Sequence, residues 1–318
     1  MVFRLFSTIF AIKMTAMPLI SIITINYNGL KDTCELLETL PLEDESLEVI
    51  VVDNASREDE ATVIEEHYPQ VTVVRSNENL GFAGGNNLGI QAAHGKYLFF
   101  INNDTLLEIR GKKLEVRDLL RHLVSQLESD PKIGAVCPKI RFAWGHQAIQ
   151  FAGYTPLSRI TMRNHSIGFG ETDCGQYDEA HPTPYAHGAA MMVKREAINK
   201  AGLMPECYFL YYEELDWSLM IRRAGYDIWY EPAMTIYHKE SQSTGQESAL
   251  RTYYITRNRL LFTQRNTPLP ARYLSYLYLL TIVAGKDVMK YLFQRRADLA
   301  KATFCGIYDF TTSKKGKK

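Results

Sequence analysis

The sequence is short of the residues that staple or anchor a chain. Its 318 residues include five cysteines, an odd number, with no CxxC pair. That argues against a disulfide framework or a zinc-thiolate site, and for a reducing, cytoplasmic compartment. It has no charge surplus: Lys+Arg and Asp+Glu each number 36, so bulk charge points to neither nucleic acid nor an acidic partner. It lacks a bilayer span. The apolar C-terminal segment has a charge-free run of 13 residues, Tyr273 to Gly285, where crossing takes about 20. A secretory leader is not expected either. "MVFRLFSTIFAIKMTAMPLI" has a short apolar patch between Arg4 and Lys13, without a longer run or a small-residue cleavage site. Residues 1–17 are expected to be an extension, with Met17 an alternative start. No internal repeat is visible.

What is present is ordinary for a globular protein, with 46% hydrophobic and 23% charged residues. The length suits one large domain or two modest ones. Four apolar, β-branched runs read as buried strands: Leu19 to Asn26, Leu47 to Asn54, Val71 to Ser76 and Lys96 to Asn102. Helical stretches lie between them at Leu30 to Leu40, Glu58 to His67 and Ala83 to Ala93. This alternation predicts an α/β fold, a mostly parallel sheet with helices on both faces; if the strand order is 3-2-1-4, strands one and four are neighbours. A helix over Gly111 to Ser129 and a strand over Ile133 to Phe142 follow. Trp144 to Pro184 reads as a long functional loop or strand pair that shapes an acceptor site. "HGAAMMV" (His187 to Val193) reads as a strand, Arg195 to Ala201 as a helix, Asp227 to Ser241 as a strand pair, and the rest from Glu247 as mostly helical.

In such sheets ligands sit beyond the carboxyl ends of the strands. The polar residues there are Asn26, Tyr27 and Asn28, then Asp53 and Asn54, then Asn102, Asn103 and Asp104. Asp53 suits a base or ribose hydroxyl, and equally a helix N-cap. The stretch Asn79 to Ile90, with Gly81, Phe82 and Asn86, suits phosphate at a helix N-terminus, and equally a tight turn with close helix packing. It follows the third strand, whereas a dinucleotide fingerprint follows the first, which argues against nicotinamide. Asp104 suits Mg²⁺ or Mn²⁺, which bind through one or two carboxylates and substrate phosphates, or closes a solvated turn. In "YYEELDW", Glu213, Glu214 and Asp216 sit beside aromatic rings, which raises carboxylate pKa values as a general base requires. The same acids also suit a helix start. His238 ends an apolar strand and is either structural or a metal ligand.

The order of these elements carries a resemblance. The segments "SIITINYNG", "VIVVDNAS", "NENLGFAGGNNLGI", "YLFFINNDT", "HGAAMMVKREAI", "YYEELDWSLMIRRAGY" and "IYHKESQSTG" resemble the family 2 inverting glycosyltransferases of the GT-A fold, especially the rhamnosyltransferase-like branch, over Pro18 to Arg265. The resemblance implies that Asp53 contacts the nucleotide, that the triplet ending at Asp104 is the metal motif, that the acid pair holds the base, and that His238 completes the metal site. Two departures stand out. Asn102 replaces the first metal-motif Asp, and the acid pair is Glu-Glu rather than Glu-Asp. Alignment places the base at Glu214, with Glu213 and Asp216 as rivals. His187, Gly188, Trp217 and Arg257 are expected to meet acceptor or diphosphate.

The expected activity is transfer of a sugar from a nucleoside diphosphate to a glycan or lipid-linked hydroxyl in cell-envelope polysaccharide synthesis. The expected division is a GT-A catalytic domain over 18–245 and a helical region with a basic tail over 246–318. The segment Arg272 to Arg296 reads as a helix lying on the inner membrane surface, or one packed on the catalytic domain. The rival readings are a sugar-1-phosphate nucleotidyltransferase and a non-catalytic nucleotide-sugar-binding scaffold.

Overall fold

A computed structural model describes residues 19–107, 113–240 and 248–318. The expected N-terminal extension, Gly111 and the stretch "SQSTG" after Glu240 lie outside the described residues. Strands β1 (Ile20–Asn26), β2 (Leu47–Asp53), β3 (Thr72–Arg75) and β4 (Tyr97–Ile101) alternate with helices α1 (Leu30–Thr39), α2 (Glu60–His67) and α3 (Gly81–Ala92). They are all parallel, as the alternation predicts, and lie in the order β3-β2-β1-β4, which makes β1 and β4 neighbours. Burial explains the order. Strand β4 is buried at every position and β1 at nearly every one, as inner strands are, while β3 is partly open at the edge.

Helix α3 lies unusually close to the sheet. A Cβ on Gly89 would stand 2.4 Å from a methyl of Ile23, and one on Gly85 would stand 2.8 Å from the Ile25 side chain. The glycine-rich stretch is therefore mostly a helix whose missing side chains allow close packing.

Past β4 the sheet is mixed. Strand β9 (Ala190–Lys194) runs antiparallel between β4 and β6 (Ile133–Phe142), and β10 (Asp227–His238) runs parallel to β6. Short β5 (Thr105–Leu106) closes the edge against β10. Strands β7 (Ile149–Phe151) and β8 (His181–Pro182) are the regular parts of the long segment before β9. Helices α4 (Lys113–Ser129), α5 (Arg195–Ala201) and α6 (Glu213–Arg223) complete this part. The expected strand pair at Asp227 is instead one strand. "EPAM" does not reverse the chain. It forms a bulge between Glu231 and Thr235, with β10 parallel to β6 on both sides. The Ala233 amide donates to the Glu231 carboxylate at 2.9 Å, which satisfies the bulge locally.

The C-terminal part is α7 (Ala249–Asn266), α8 (Ala271–Leu277), a π-helical turn (Tyr278–Val283), α9 (Ala284–Phe293) and α10 (Ala297–Thr311). One face of the α8–α9 run is buried at Ser275, Leu279, Val283 and Ala284. The opposite face exposes Tyr273, Leu277, Ile282, Met289 and Phe293, the last 82% exposed. The run therefore packs on the protein through one face and presents a second apolar face outward. Among the described residues no helix is long and apolar enough to cross a membrane.

Candidate active site

Sheet register gathers the expected residues at one end. The carboxyl ends of β1, β2, β4, β6 and β10 share that edge. Because β9 runs the other way, Ile101 pairs with Ala190 and the start of β9 joins them. His187 and Gly188 therefore stand beside Asn102 to Asp104 and His238.

Asp104 and His238 meet. The His238 Nε2 lies 3.2 Å from an Asp104 oxygen, and both residues are buried. His238 Nδ1 lies 2.9 Å from the Gln150 Oε1. That oxygen can only accept, so Nδ1 carries the proton and the Nε2 lone pair is aimed at Asp104 when the ring is neutral. Two ligands of one divalent ion, each about 2.1 Å from it, stand about 3 Å apart at a right angle. The pair fits such an ion, and the Gln150 side chain already holds the His238 ring in that orientation. No group of three His, Cys, Asp or Glu side chains suited to a metal occurs among the described residues, so diphosphate oxygens and water would supply the other positions.

The acid pair opens helix α6 from a constrained turn. Phe209, Tyr211 and Tyr212 all have positive φ, at 71°, 69° and 80°. Left-handed conformations cost an ordinary side chain about 1 kcal/mol or more each, so this turn needs holding. Two sides hold it. The Phe209 carbonyl accepts from the Phe82 amide at 3.0 Å, and lies so near Gly81 that a Cβ there would stand 2.1 Å away. From α7, the buried Asn258 amide donates to the Tyr208, Leu210 and Tyr211 carbonyls at 3.1, 2.7 and 3.1 Å.

Glu213 is buried, and its Oε2 finds no hydrogen-bond partner among the described residues. Burial pushes its pKa well above the carboxylate range, and the Glu214 charge pushes it further. Burial also raises Glu214. The Glu214 side chain is partly buried beside Gly188 and Phe82, each near 3.8 Å from the point a Gly188 Cβ would occupy. Its charge is felt by Tyr154, whose hydroxyl is held far above its usual pKa, mainly by burial. Tyr154 stacks on His187 with ring centroids 5.9 Å apart. Burial, with His238 nearby, depresses His187 to about 3, so this ring is neutral. At this edge Asp104 meets His238, His187 stacks on Tyr154, and Glu214 stands beside Gly188, the residue after His187.

The sequence model described as "Glycosyl transferase family 2" matches residues 21–202. The chain belongs to glycosyl transferase family 2. This glycosyltransferase is 24% identical over 300 residues, 93% of it and 92% of the relative, to the low-salt glycan biosynthesis hexosyltransferase Agl10 of Haloferax volcanii. A shorter stretch of 68 residues, 21% of this chain and 22% of the relative, is 31% identical to an N-acetylglucosaminyl-diphospho-decaprenol L-rhamnosyltransferase of Mycobacterium tuberculosis. Its fold is GT-A. A mannosyltransferase of Pyrobaculum calidifontis, solved with GDP-Man and Mn²⁺, superposes with a TM-score of 0.56 at 17% identity, covering 94% of this chain and 89% of that one. GalNAc-T7, solved with UDP, GalNAc and Mn²⁺, gives 0.59 at 15% identity, covering 86% and 58%.

Several expected residues of this glycosyltransferase prove to be structural. Asp216 is fully buried and accepts from Arg265 at 2.6 Å, Asn266 at 2.9 Å and Tyr208 at 3.0 Å. A carboxylate so engaged is a poor base, which removes it as a rival. Trp217 is buried against Phe100 and donates to the Gly202 carbonyl at 2.8 Å. Arg257 is 1% exposed. Its guanidinium donates to the carbonyls of Tyr208 and Gly316, both at 2.7 Å, so it braces the turn instead of meeting diphosphate.

Asn26 donates to Asp53 at 2.9 Å and Glu60 at 2.7 Å, and accepts from Thr33 at 2.7 Å. Asn54 ties down the glycine-rich stretch, accepting from the Leu80 amide and donating to the Gly81 carbonyl. Asn86 donates to the Phe82 carbonyl, and Asn103 to the Thr33 hydroxyl. These four amides are engaged with side chains and backbone of the sheet end itself. Asp53 accepts from Asn26 and Ser56 at the mouth, Tyr27 is exposed beside it, and Asn28 holds a positive φ of 52°. The Asn102 amide donates to the Ala189 carbonyl, which fixes β4 to the start of β9. Sequence reading missed Gln150, Tyr154 and Asn258. Nothing local marks them, since each acts on residues far away in the chain.

Proposed function

We propose that this glycosyltransferase moves a hexosyl group from a nucleoside diphosphate sugar to an acceptor hydroxyl, with inversion. The observation that supports this most is that the Asp104–His238 pair, the strand start carrying His187 and Gly188, and Glu214 beside Gly188 share one end of the sheet. Asp53 and Tyr27 would meet the nucleoside at the ends of β1 and β2. Gly188 leaves room beside Glu214 for the reacting sugar.

The acceptor O–H gives its proton to a Glu214 oxygen as the new bond forms to the anomeric carbon. The bond from that carbon to the phosphate oxygen breaks on the opposite face, and the nucleoside diphosphate leaves with the electron pair. Glu213, buried and with its pKa raised furthest, keeps its proton, so one negative charge rather than two faces the acceptor. Asp104 and His238 would hold Mg²⁺ or Mn²⁺, which when bound supplies positive charge opposite the leaving diphosphate. Neutral His187 adds no competing cation there.

Rhamnose, a deoxyhexose, is the first donor sugar to test, as both the resemblance and the short mycobacterial match point to it. We place the enzyme in the cytoplasm, on the inner membrane face, building envelope polysaccharide on a lipid-linked acceptor. The exposed apolar face of α8–α9 with Arg272, Lys286, Lys290 and Arg295 suits an anionic bilayer surface. The deciding assay incubates the enzyme with nucleotide sugars and acceptor lipid extract and identifies the released phosphate. Free nucleoside diphosphate together with an inverted linkage is expected. Pyrophosphate release means nucleotidyl transfer, and no nucleotide-sugar binding at all means a scaffold.

A further inference from the structure

The chain after α10 is largely exposed, yet it is tied down. Helix α10 ends in a reversal. The Ser313 amide donates to the Phe310 carbonyl at 3.1 Å and the Lys314 amide to the Asp309 carbonyl at 2.9 Å, with Ser313 at a φ of 59°. The following residues then meet α7 and the start of the acid-bearing turn. The Gly316 amide donates to the Cys207 carbonyl at 2.8 Å, and the Gly316 carbonyl accepts from Arg257 at 2.7 Å. Two residues on, the Lys318 amide donates to the Tyr254 hydroxyl at 2.8 Å, and its ammonium stands 4.3 Å from the Tyr253 ring centroid.

Arg257 is the bridge. One terminal nitrogen donates to the Gly316 carbonyl and the other to the Tyr208 carbonyl, both at 2.7 Å. The guanidinium is buried. Its hydrogen-bond partners among the described residues are neutral oxygens, and the Tyr253 and Tyr254 ring centroids lie 5.4 and 5.0 Å away. A buried cation with no carboxylate against it depends on each acceptor it has. Losing Gly316 would therefore disturb the group that also holds Tyr208. A second link runs through packing: the Tyr254 ring, fixed by Lys318, stacks on Phe209 with centroids 5.3 Å apart. Both links end on the left-handed stretch that leads into Glu213 and Glu214.

We propose that residues 313–318 form a strap that fixes the turn from Cys207 to Tyr212, and that Gly316 is a positioning residue for the acid pair. That this positioning serves proton removal rests on the glycosyl-transfer reading above; that the strap holds the turn does not.

Gly316 offers a clean test. Its φ is 72°, and a Cβ there would meet nothing within 4 Å. Asn tolerates that conformation and keeps the amide, whereas Pro allows neither. The first readout is hydrogen exchange of the full chain without ligand. In Gly316→Pro the Phe82 amide, which donates to the Phe209 carbonyl, should exchange about tenfold faster or more. The Asn54 amide, bonded to the Asn26 carbonyl in the sheet, should keep its rate. The second readout is turnover of the nucleoside diphosphate sugar that the assay above selects. Gly316→Pro should lower kcat about tenfold or more and leave KM for that donor within about twofold. Gly316→Asn should match the parent in both readouts. Tyr254→Phe, which keeps the ring and loses the hydroxyl, should act in the same direction, and its effect should shrink in the Gly316→Pro background because both work through one strap. Unchanged Phe82 exchange in Gly316→Pro, an equal loss in Gly316→Asn, or faster exchange with full kcat would each overturn the proposal. A parent chain that transfers no sugar sinks the glycosyl-transfer reading, and Phe82 exchange then judges the strap by itself.

Discussion

The sheet end and the C-terminal helices manage their surfaces in opposite ways. At the sheet end the polar side chains are largely engaged with one another: Asn26 with Asp53, Glu60 and Thr33, Asn54 with the glycine-rich stretch, His238 with Gln150 and Asp104. That region is preorganised, with its geometry fixed before a ligand arrives. The C-terminal helices instead leave large apolar side chains in water and a cavity of about 230 Å³ between them. Between the two lies the turn Tyr208 to Tyr212, held by Gly81 and Phe82 from one side and Asn258 from the other. A surface complete in itself suits precise chemistry, and an incomplete one suits a partner. The turn is where the second region acts on the first.

The sharpest way to break this contrast is at the acid pair. Glu214→Gln should lower kcat by about 10²- to 10⁴-fold while donor binding measured by calorimetry survives. Glu213→Gln, which mimics a protonated acid, should cost far less. If the two are equally damaging, the division of roles between them is wrong. Next comes the metal pair. Asp104→Ala should weaken Mn²⁺-dependent donor binding by about 100-fold or more, and Gln150→Ala, which only frees the His238 ring, by about tenfold. A titration unchanged in Asp104→Ala refutes the metal assignment.

Asn258→Ala tests whether the helices act through the turn. It strands three carbonyls behind a left-handed backbone and should cost about 2–3 kcal/mol in denaturant unfolding. The turnover of the folded fraction should fall with it, while affinity for the donor holds. Loss of stability with full turnover would make the clamp merely structural.

The pH dependence gives a finer probe. The raised pKa of Glu214 should place the acid limb of kcat above the ordinary carboxylate range of about 4.3. Linkage has a definite sign here. The native acid pair binds protons more tightly than the unfolded chain, so its effect on stability worsens as pH rises from that range through the raised values. His187 acts oppositely. With its folded pKa near 3, stability is lost as pH falls below its unfolded value of about 6.5. Glu214→Gln should lessen the first slope, leaving the Glu213 contribution, and leave the second unchanged. The smallest effect on folding is expected at the exposed face. Phe293→Ser should shift stability by no more than about 0.5 kcal/mol, yet reduce sedimentation with anionic vesicles.

Much of this was legible in the residues themselves. Strand-length apolar runs separated by helical stretches determined β1 to β4 as parallel strands, because burial on both faces demands continuous apolar residues; right-handed crossovers limited their order without fixing it. The polar strand ends named the edge at which Asp53, Asp104 and His238 stand. The tertiary structure alone decided which polar residues face outward. Asp216 and Glu214 lie two residues apart in "EELDW", yet one is locked to Arg265 and the other stands by Gly188. Arg257 and Arg259 likewise look alike in sequence, but one braces the turn and the other lines a cavity. A chain's local pattern sets which elements form, since that depends on neighbours a few residues away. The partner of a charged side chain is set by residues 50 or 100 positions distant, and only packing brings those together.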